Sequence, residues 1–341
     1  MAKIDELFST KTVLDYTKER QQIPMLGDVL FPEDKIEDLS FEMIKGASNL
    51  PVSASVHSFD TETEIGSRDG VDKSLQDLAL IKRKIKMDEK TIIIINSPRN
   101  SMEEKKAIAA VFNDVDNMVT GVKARIEAMR MEAISTGKVA VNENGVNVTI
   151  DYGVPSEHQA LTGIDWTAAA SKPLDDIYNW TDKIVGDTGF TPARSLTSKS
   201  IISLLLQNTS IRKAIFGTNS DRVLTVDMLN QLLTSMNLPT VASYDAQYRV
   251  QNANGTYASK RYLEEGKFIL LPEGKLGDTI YGLTAEEIEL RNKPGVDIQS
   301  FGNIITEIYS THDPVARWTK AVATALPSYP YADQSFIAKV K

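Results

Sequence analysis

There is no cysteine in the 341 residues, which excludes a disulfide framework, a thiolate zinc site and a cysteine nucleophile. Only three histidines occur, His57, His158 and His312. They lie far apart and form no i, i+4 pair, so a transition metal finds little to bind. Long hydrophobic runs are missing as well. TIIIIN at 91–96 and IISLLL at 201–206 fall well short of the roughly 20 apolar residues a membrane helix needs. The opening MAKIDELFST has no apolar stretch, so no signal peptide is expected, and the chain is expected to fold in a reducing cytoplasm. Nor is there a basic field. The formal charge is −8, which argues against a generic nucleic-acid binder and leaves open a protein that binds copies of itself.

Catalytic signatures are equally scarce. GSRDGVDKS and GKLGDT hold glycine, lysine and hydroxyl residues but not the G-x-x-x-x-G-K-[ST] spacing of a phosphate cradle, and read as loops. No G-x-G-x-x-G follows an expected strand, and neither G-x-S-x-G nor H-E-x-x-H occurs. The acid pairs Asp175/Asp176 and Asp114/Asp116 are the remaining acid–base candidates. Both stand at expected helix starts, where carboxylates complement orphan N–H groups and the helix dipole. No cofactor or metal site is expected.

What is present is a foldable chain, 42% hydrophobic and 25% charged, long enough for two lobes. The first forty residues read as an arm, with a Pro-punctuated IPMLGDVLFPEDK. Alternation in LSFEMIKG and LPVSASVHSF indicates strands. DTETEIGSRDGVDKSLQDLALIKRKIKMDEK then reads as a long charged hairpin projecting from the body, with Arg68-Asp69-Gly70 at its turn. Lys82, Arg83, Lys84 and Lys86 form a solvated face of that hairpin or meet acids on another copy.

The spacing of Val115, Val119, Val122, Ile126, Met129 and Ala133 predicts one amphipathic helix from Asp114 to about Thr136, closed by Gly137. Lys123, Arg125, Glu127, Arg130 and Glu132 are expected on its opposite face. A shorter helical piece is expected from Ser101. KVAVNENGVNVTIDYG reads as a hairpin with Asn144-Gly145 at the turn. A mixed lobe follows. Its helices start at KPLDD, LTSKS, TSIRK and TVDML, the later ones expected to be capped by Ser or Thr. Its strands are TVASYDAQY, KFILLPEG and DTIYGL. Strands return in IQSFGNIITEIYS and ARWTKAVATAL, after which Pro327 and Pro330 break the pattern. Tyr329 and Tyr331 are expected to anchor a bend before FIAKV pairs again.

Four short motifs occur in a telling order: Ser67-Arg68-Asp69-Gly70 in the charged hairpin, the long amphipathic helix, Trp166 followed by Pro173-Leu174-Asp175-Asp176-Ile177, and DPVAR with FIAKV near the end. In these the chain resembles the major capsid protein of lambda-type tailed phages, the E family. The resemblance covers roughly residues 40–341; the first forty match poorly. It implies an α+β Hong Kong-97-like capsid fold. Residues 1–45 would be an N-terminal arm, 46–90 an extended loop hairpin with flanking strands, and 91–160 a peripheral domain with a spine helix. Residues 161–295 would be an axial domain and 296–341 the return strands of the peripheral domain.

The same resemblance implies a non-enzymatic head protein. It would assemble as pentamers and hexamers into an icosahedral shell around double-stranded DNA, without sequence-specific contacts and without a membrane. A separate scaffolding protein and a portal would be its partners, with a decoration protein as an optional one. Assembly would take place in the host bacterial cytoplasm, and the product would be the virion. Arg68, Asp69, Lys82, Arg83, Lys84, Asp175, Asp176 and Arg317 are the candidate subunit contacts. The alternatives are a bacterial nanocompartment shell of the encapsulin kind and an enzyme using Asp175 or Asp176.

Overall fold

The computed structural model describes residues 24–45, 72–96, 101–143, 145–217, 222–252, 254–289, 296–313 and 315–341. Helix α1 (Leu26–Leu30) leads into strands β1 (Glu33–Lys35), β2 (Ser40–Lys45), β3 (Asp72–Asp77) and β4 (Ala79–Met87). Helices α2 (Glu89–Asn96) and α3 (Ser101–Thr136) follow, then β5 (Lys138–Glu143), β6 (Val146–Asp151) and β7 (Gln159–Ala160). Next come α4 (Pro173–Thr188), β8 (Arg194–Thr197), α5 (Lys199–Gln207), α6 (Thr209–Phe216) and α7 (Val226–Ser235). Strands β9 (Thr240–Ser243), β10 (Gln247–Gln251), β11 (Tyr257–Arg261), β12 (Lys267–Leu271) and β13 (Thr279–Gly282) precede α8 (Ala285–Glu289). The last elements are β14 (Val296–Phe301), β15 (Ile304–His312), β16 (Val315–Pro327) and β17 (Phe336–Lys339). They group into two compact units, one within 1–41, 77–129 and 278–328, the other within 42–76, 130–277 and 329–341.

The first unit is built on a sheet ordered β1-β13-β16-β15-β14, with β4 also paired to β16. β16 runs antiparallel to β15 along one edge, and to β4 and then β13 along the other. β16 is also covered on both faces, since the consecutive residues Ala321, Val322 and Ala323, and Ala325 and Leu326 after them, are fully buried. Hence its C-terminal half reads as a continuous apolar run rather than an alternation. The basic strand expected in a projecting hairpin is β4, and this is corrected: β4 lies in the body sheet. β3 pairs instead with β2, and the expected turn at Arg68-Asp69-Gly70 lies outside the described residues.

Two further expectations about the long helix need correction. The separate pieces from Ser101 and Asp114 are one 36-residue helix, α3, so Asp114 and Asp116 are mid-helix and cap nothing. Its apolar stripe is buried from Val115 to Ala133, but so are Glu127 and Arg130, expected on a solvated face. Burial of the carboxylate is compensated within the first unit, where Glu127 Oε1 accepts a hydrogen bond from the Gly27 backbone N–H at 3.0 Å. Periodicity could not reveal this, because the compensating N–H comes from a residue 100 positions away. At the helix end Gly137 is left-handed, with φ of +70°, and a Cβ there would stand 2.7 Å from Val154 Cγ2. Glycine is required on both counts.

The second unit carries a mixed sheet ordered β7-β17-β12-β8-β9. β12 (KFILL) is buried throughout and antiparallel to both neighbours. Helices α4 to α7 contribute Ile177, Trp180, Ile184, Ile201, Leu205, Ile211, Leu229 and Leu233 to a core shared with Trp166, Phe268 and Phe336. Trp166 and Trp180 stack at 5.8 Å, and Trp180 stacks on Phe336 at 5.2 Å. Capping is more varied than expected. Thr225 caps α7 by accepting from the Met228 N–H. Asn208 caps α6, and Ser198 before α5 makes no side-chain cap bond.

The closing residues need correction too. β17 does pair again, but in the second unit's sheet, between β12 and β7, not with the return strands of the first. Tyr329 is fully buried, meets Tyr152 edge-on at 5.9 Å and bonds the Ser335 hydroxyl. Tyr331 is 39% exposed and does not anchor the bend by burial.

Candidate assembly surfaces

Alternation in β4 places Lys82, Lys84 and Lys86 on one face of the first unit's sheet. Opposite them on β16, in register, stand Val322, Lys320 and Trp318, and next on β15 are Ile305, Glu307 and Tyr309. Glu286 of α8 closes over this face. Its Oε1 accepts from Lys320 Nζ at 2.6 Å and from Lys82 Nζ at 3.1 Å, while Lys320 also reaches Glu307 Oε2 at 3.1 Å. The carboxylates are deeply buried, with side-chain exposures of 5% for Glu286 and 7% for Glu307. Burial alone would raise the Glu286 carboxyl, but hydrogen bonds from Lys320 and Lys82 outweigh it and hold the group below its usual value. Burial pulls the Lys320 ammonium down, and its bonds to the two glutamates more than reverse that. Lys84 Nζ lies 4.5 Å from the centre of the Trp318 ring, a cation–π contact.

Between these groups is a cavity of about 320 Å³ lined by Lys82, Arg83, Lys84, Tyr309 and Lys320. Arg83 crosses α3 at Gly121, where a Cβ would stand 3.0 Å from its Nη1; a side chain at 121 would displace the guanidinium. Of the candidate contacts read from the sequence, Lys82 and Lys84 therefore share one face of the sheet, while Arg83, on the other face of β4, lies against α3. Arg317 is on the same sheet, opposite Ser310 and Met87. Arg68 and Asp69 lie outside the described residues. Glu286, Glu307 and Lys320 were not singled out from the sequence, because their proximity arises from strand register and one short helix.

In the second unit, Asp176 Oδ2 accepts a 2.8 Å hydrogen bond from the buried Trp166 indole N–H. Asp175 makes a 3.6 Å ion pair with Lys172, both largely exposed. The two acids thus diverge, one supporting the core and one facing solvent, and form no acid–base pair. His158 is buried, stacks on Phe336 and bonds Asp187 Oδ2 at 3.0 Å. The Asp187 carboxyl is held low by hydrogen bonds from Lys183 and His158. Among the described residues no group of three or more His, Asp or Glu could hold a metal. No helix among them is long and apolar enough to cross a membrane.

A family model described as phage major capsid protein E matches residues 9–340. No curated protein matches the sequence. Among solved structures the chain is similar to the prophage capsid protein of Escherichia coli CFT073. The TM-score is 0.64 at 14% identity, with 97% of this chain and 99% of that one covered. It is also similar to the capsid of cyanophage A-1(L), with TM-score 0.52, 10% identity and 93% of each chain covered. A phage-related protein of Bordetella bronchiseptica RB50 aligns with TM-score 0.51 at 13% identity, over 97% of this chain and 96% of that one.

Proposed function

The chain belongs to the phage major capsid protein E family, and from that premise we propose that it assembles as pentamers and hexamers into an icosahedral head around double-stranded DNA. It is a structural subunit of the virion with a Hong Kong-97-like fold, builds a shell from copies of itself, and is not an enzyme. The observation that carries the reading is the family match along nearly the whole chain. The same match favours a phage head over a nanocompartment shell.

The finer proposal assigns roles by segment. Residues 1–45 act as an arm, and the part of 46–90 that precedes β4 acts as an extended loop that reaches a neighbour, β4 itself belonging to the body sheet. The peripheral domain comprises most of 91–160 with strands β13 to β16, and the axial domain, at five- and six-fold centres, comprises 161–277 together with 329–341, whose strand β17 pairs with β12. Arg68, Asp69, Lys82, Arg83, Lys84, Asp175, Asp176 and Arg317 contact other subunits. Assembly takes place in the host bacterial cytoplasm with a separate scaffolding protein and a portal, a decoration protein being an optional addition. Large repeated self-contact needs extended surfaces rather than deep pockets.

Electron microscopy of the purified protein, alone and with a candidate scaffolding protein, tests this. Closed shells with five- and six-fold capsomers are expected. An inert monomer at high concentration in every condition would overturn the proposal.

A further inference from the structure

The tip of the β10–β11 hairpin in the second unit brings together a side-chain carbonyl, two donors aimed at it and a backbone nitrogen beside it. Its sequence is Asn252-Ala253-Asn254-Gly255-Thr256. Asn254, Gly255 and Thr256 are all exposed. Gly255 has φ of +81°, and a Cβ placed on it would meet nothing within 4 Å, so no neighbour crowds the turn. Asn252 Nδ2 donates to Thr256 Oγ1 at 3.0 Å, and the Thr256 hydroxyl donates to Asn254 Oδ1 at 2.6 Å. The Thr256 backbone N–H donates to the same oxygen at 3.1 Å. Because the hydroxyl oxygen already accepts from Asn252, its proton is directed at Asn254, and bonds in such a chain polarise one another. Asn254 Oδ1 therefore has two donors in place, as an oxygen needs where negative charge develops in acyl transfer.

We infer that Asn254 is a self-modification site, at which the turn converts asparagine to isoaspartate and aspartate through a cyclic imide. Hydroxide removes the Gly255 amide proton once the exposed 2.9 Å bond from Gly255 N–H to the Asn252 carbonyl has opened. The Gly255 nitrogen attacks Asn254 Cγ, and the carbonyl electron pair moves onto Oδ1, where the Thr256 N–H and O–H stabilise it. When that pair returns, the Cγ–Nδ2 bond breaks and the amine leaves as ammonia, taking a proton from water. Water then opens the imide. Attack at Cγ gives aspartate, and attack at the main-chain carbonyl gives isoaspartate. Water and hydroxide are the only co-reactants. Nucleophile and carbonyl belong to adjacent residues, so the step has the advantage of an intramolecular reaction. The product adds a carboxylate to a hairpin that carries Arg249, Lys260 and Arg261 and no acid between Ala246 and Leu263.

The test incubates the folded full-length protein in buffered oxygen-18 water and follows the peptide carrying residue 254 by mass spectrometry. Isoaspartate is counted separately with an isoaspartyl methyltransferase and a labelled methyl donor, because it forms only through the imide. A synthetic peptide of residues 247–261 supplies the rate of the bare Asn-Gly sequence, since an isolated two-stranded hairpin is marginal in water. The expected result is oxygen-18 isoaspartate at 254, formed faster in the folded protein than in the peptide. It should also form faster in mildly alkaline than in neutral buffer. Thr256→Val removes the hydroxyl but keeps the backbone N–H, and is expected to slow conversion about tenfold, less than a buried donor would because solvent replaces part of it. Thr256→Ser keeps the hydroxyl and is expected to match the wild type.

Thermal unfolding of each variant confirms that rates are read on folded protein. Conversion no faster in the folded protein than in the peptide overturns the inference, as does a Thr256→Val rate equal to that of the wild type. Aspartate without isoaspartate also overturns it, because that product reports direct hydrolysis rather than ring closure. None of these outcomes bears on the capsid reading, which stands on the family match.

Discussion

Replacing Lys320 with methionine is the sharpest test of the buried charge cluster, because it removes one charge and leaves the shape nearly unchanged. In the folded subunit Lys320 Nζ stands 2.6 Å from Glu286 and 3.1 Å from Glu307. At an effective dielectric near 20, each contact carries roughly 5 kcal/mol of attraction. The cost of taking three ions out of water offsets most of that, so the intact cluster contributes little net stability. Lys320→Met is different. The carboxylates stay buried, Glu307 loses its lysine, and the one lysine left to Glu286 is Lys82, which is 43% exposed and so contributes at most about 1 kcal/mol. The expected loss is about 3–5 kcal/mol at neutral pH, read by urea or thermal unfolding of the subunit.

The pH dependence gives a second reading of the same cluster. Glu286 is held low when folded, so its contribution is present above the unfolded carboxylate range and is lost as pH falls through the folded value. Lys320 is held high, so its contribution is present below the unfolded lysine range and is lost as pH rises through the folded value. The gap between wild type and Lys320→Met is therefore expected to be flat across neutral pH and to narrow at both extremes. Adding Glu307→Leu to Lys320→Met is expected to restore part of the loss by removing the stranded charge. A Lys320→Met subunit within about 0.5 kcal/mol of wild type at pH 7 would refute the reasoning, since surface changes have effects of that size.

Other expectations concern single elements. Val122 is fully buried on α3, so Val122→Asp strands a charge in the core and costs on the order of 3–5 kcal/mol; soluble, assembly-competent protein would contradict the helix face described. Deleting residues 330–341 removes Phe336, Ile337, Ala338 and Val340, all buried, and is expected to unfold the second unit, giving a protease-sensitive product rather than a trimmed but folded one. Asp176→Ala leaves the Trp166 indole N–H unpaired and is expected to cost about 1–3 kcal/mol, with Asp176→Asn recovering most of it because the amide oxygen still accepts. Gly137→Ala is expected to cost about 1–3 kcal/mol, measurable by thermal unfolding, since it forces an L side chain into a left-handed position against Val154.

Local chemistry along the chain determined a good deal. The valine spacing of α3 specified which stripe is buried, because a helix turns by a constant angle whatever it packs against. Gly137 marked its end, since only glycine holds that φ cheaply. The absence of cysteine and the scattered histidines removed whole classes of chemistry, and four ordered motifs pointed to the family. What tertiary structure alone decided are the partnerships between distant residues. Lys82 and Lys84 alternate as an exposed hairpin would, yet β4 lies beside β16, a position set by a pairing over 200 residues away. Glu127 reads as a surface residue until Gly27 supplies its hydrogen bond. Glu286, Lys320 and Glu307 become one cluster only when α8 folds onto the sheet. The closing FIAKV was legible as a strand because alternation and β-branching are local. Its sheet was not, because a strand's backbone bonds carry no sequence of their own, and the neighbour is chosen by which core its side chains complete.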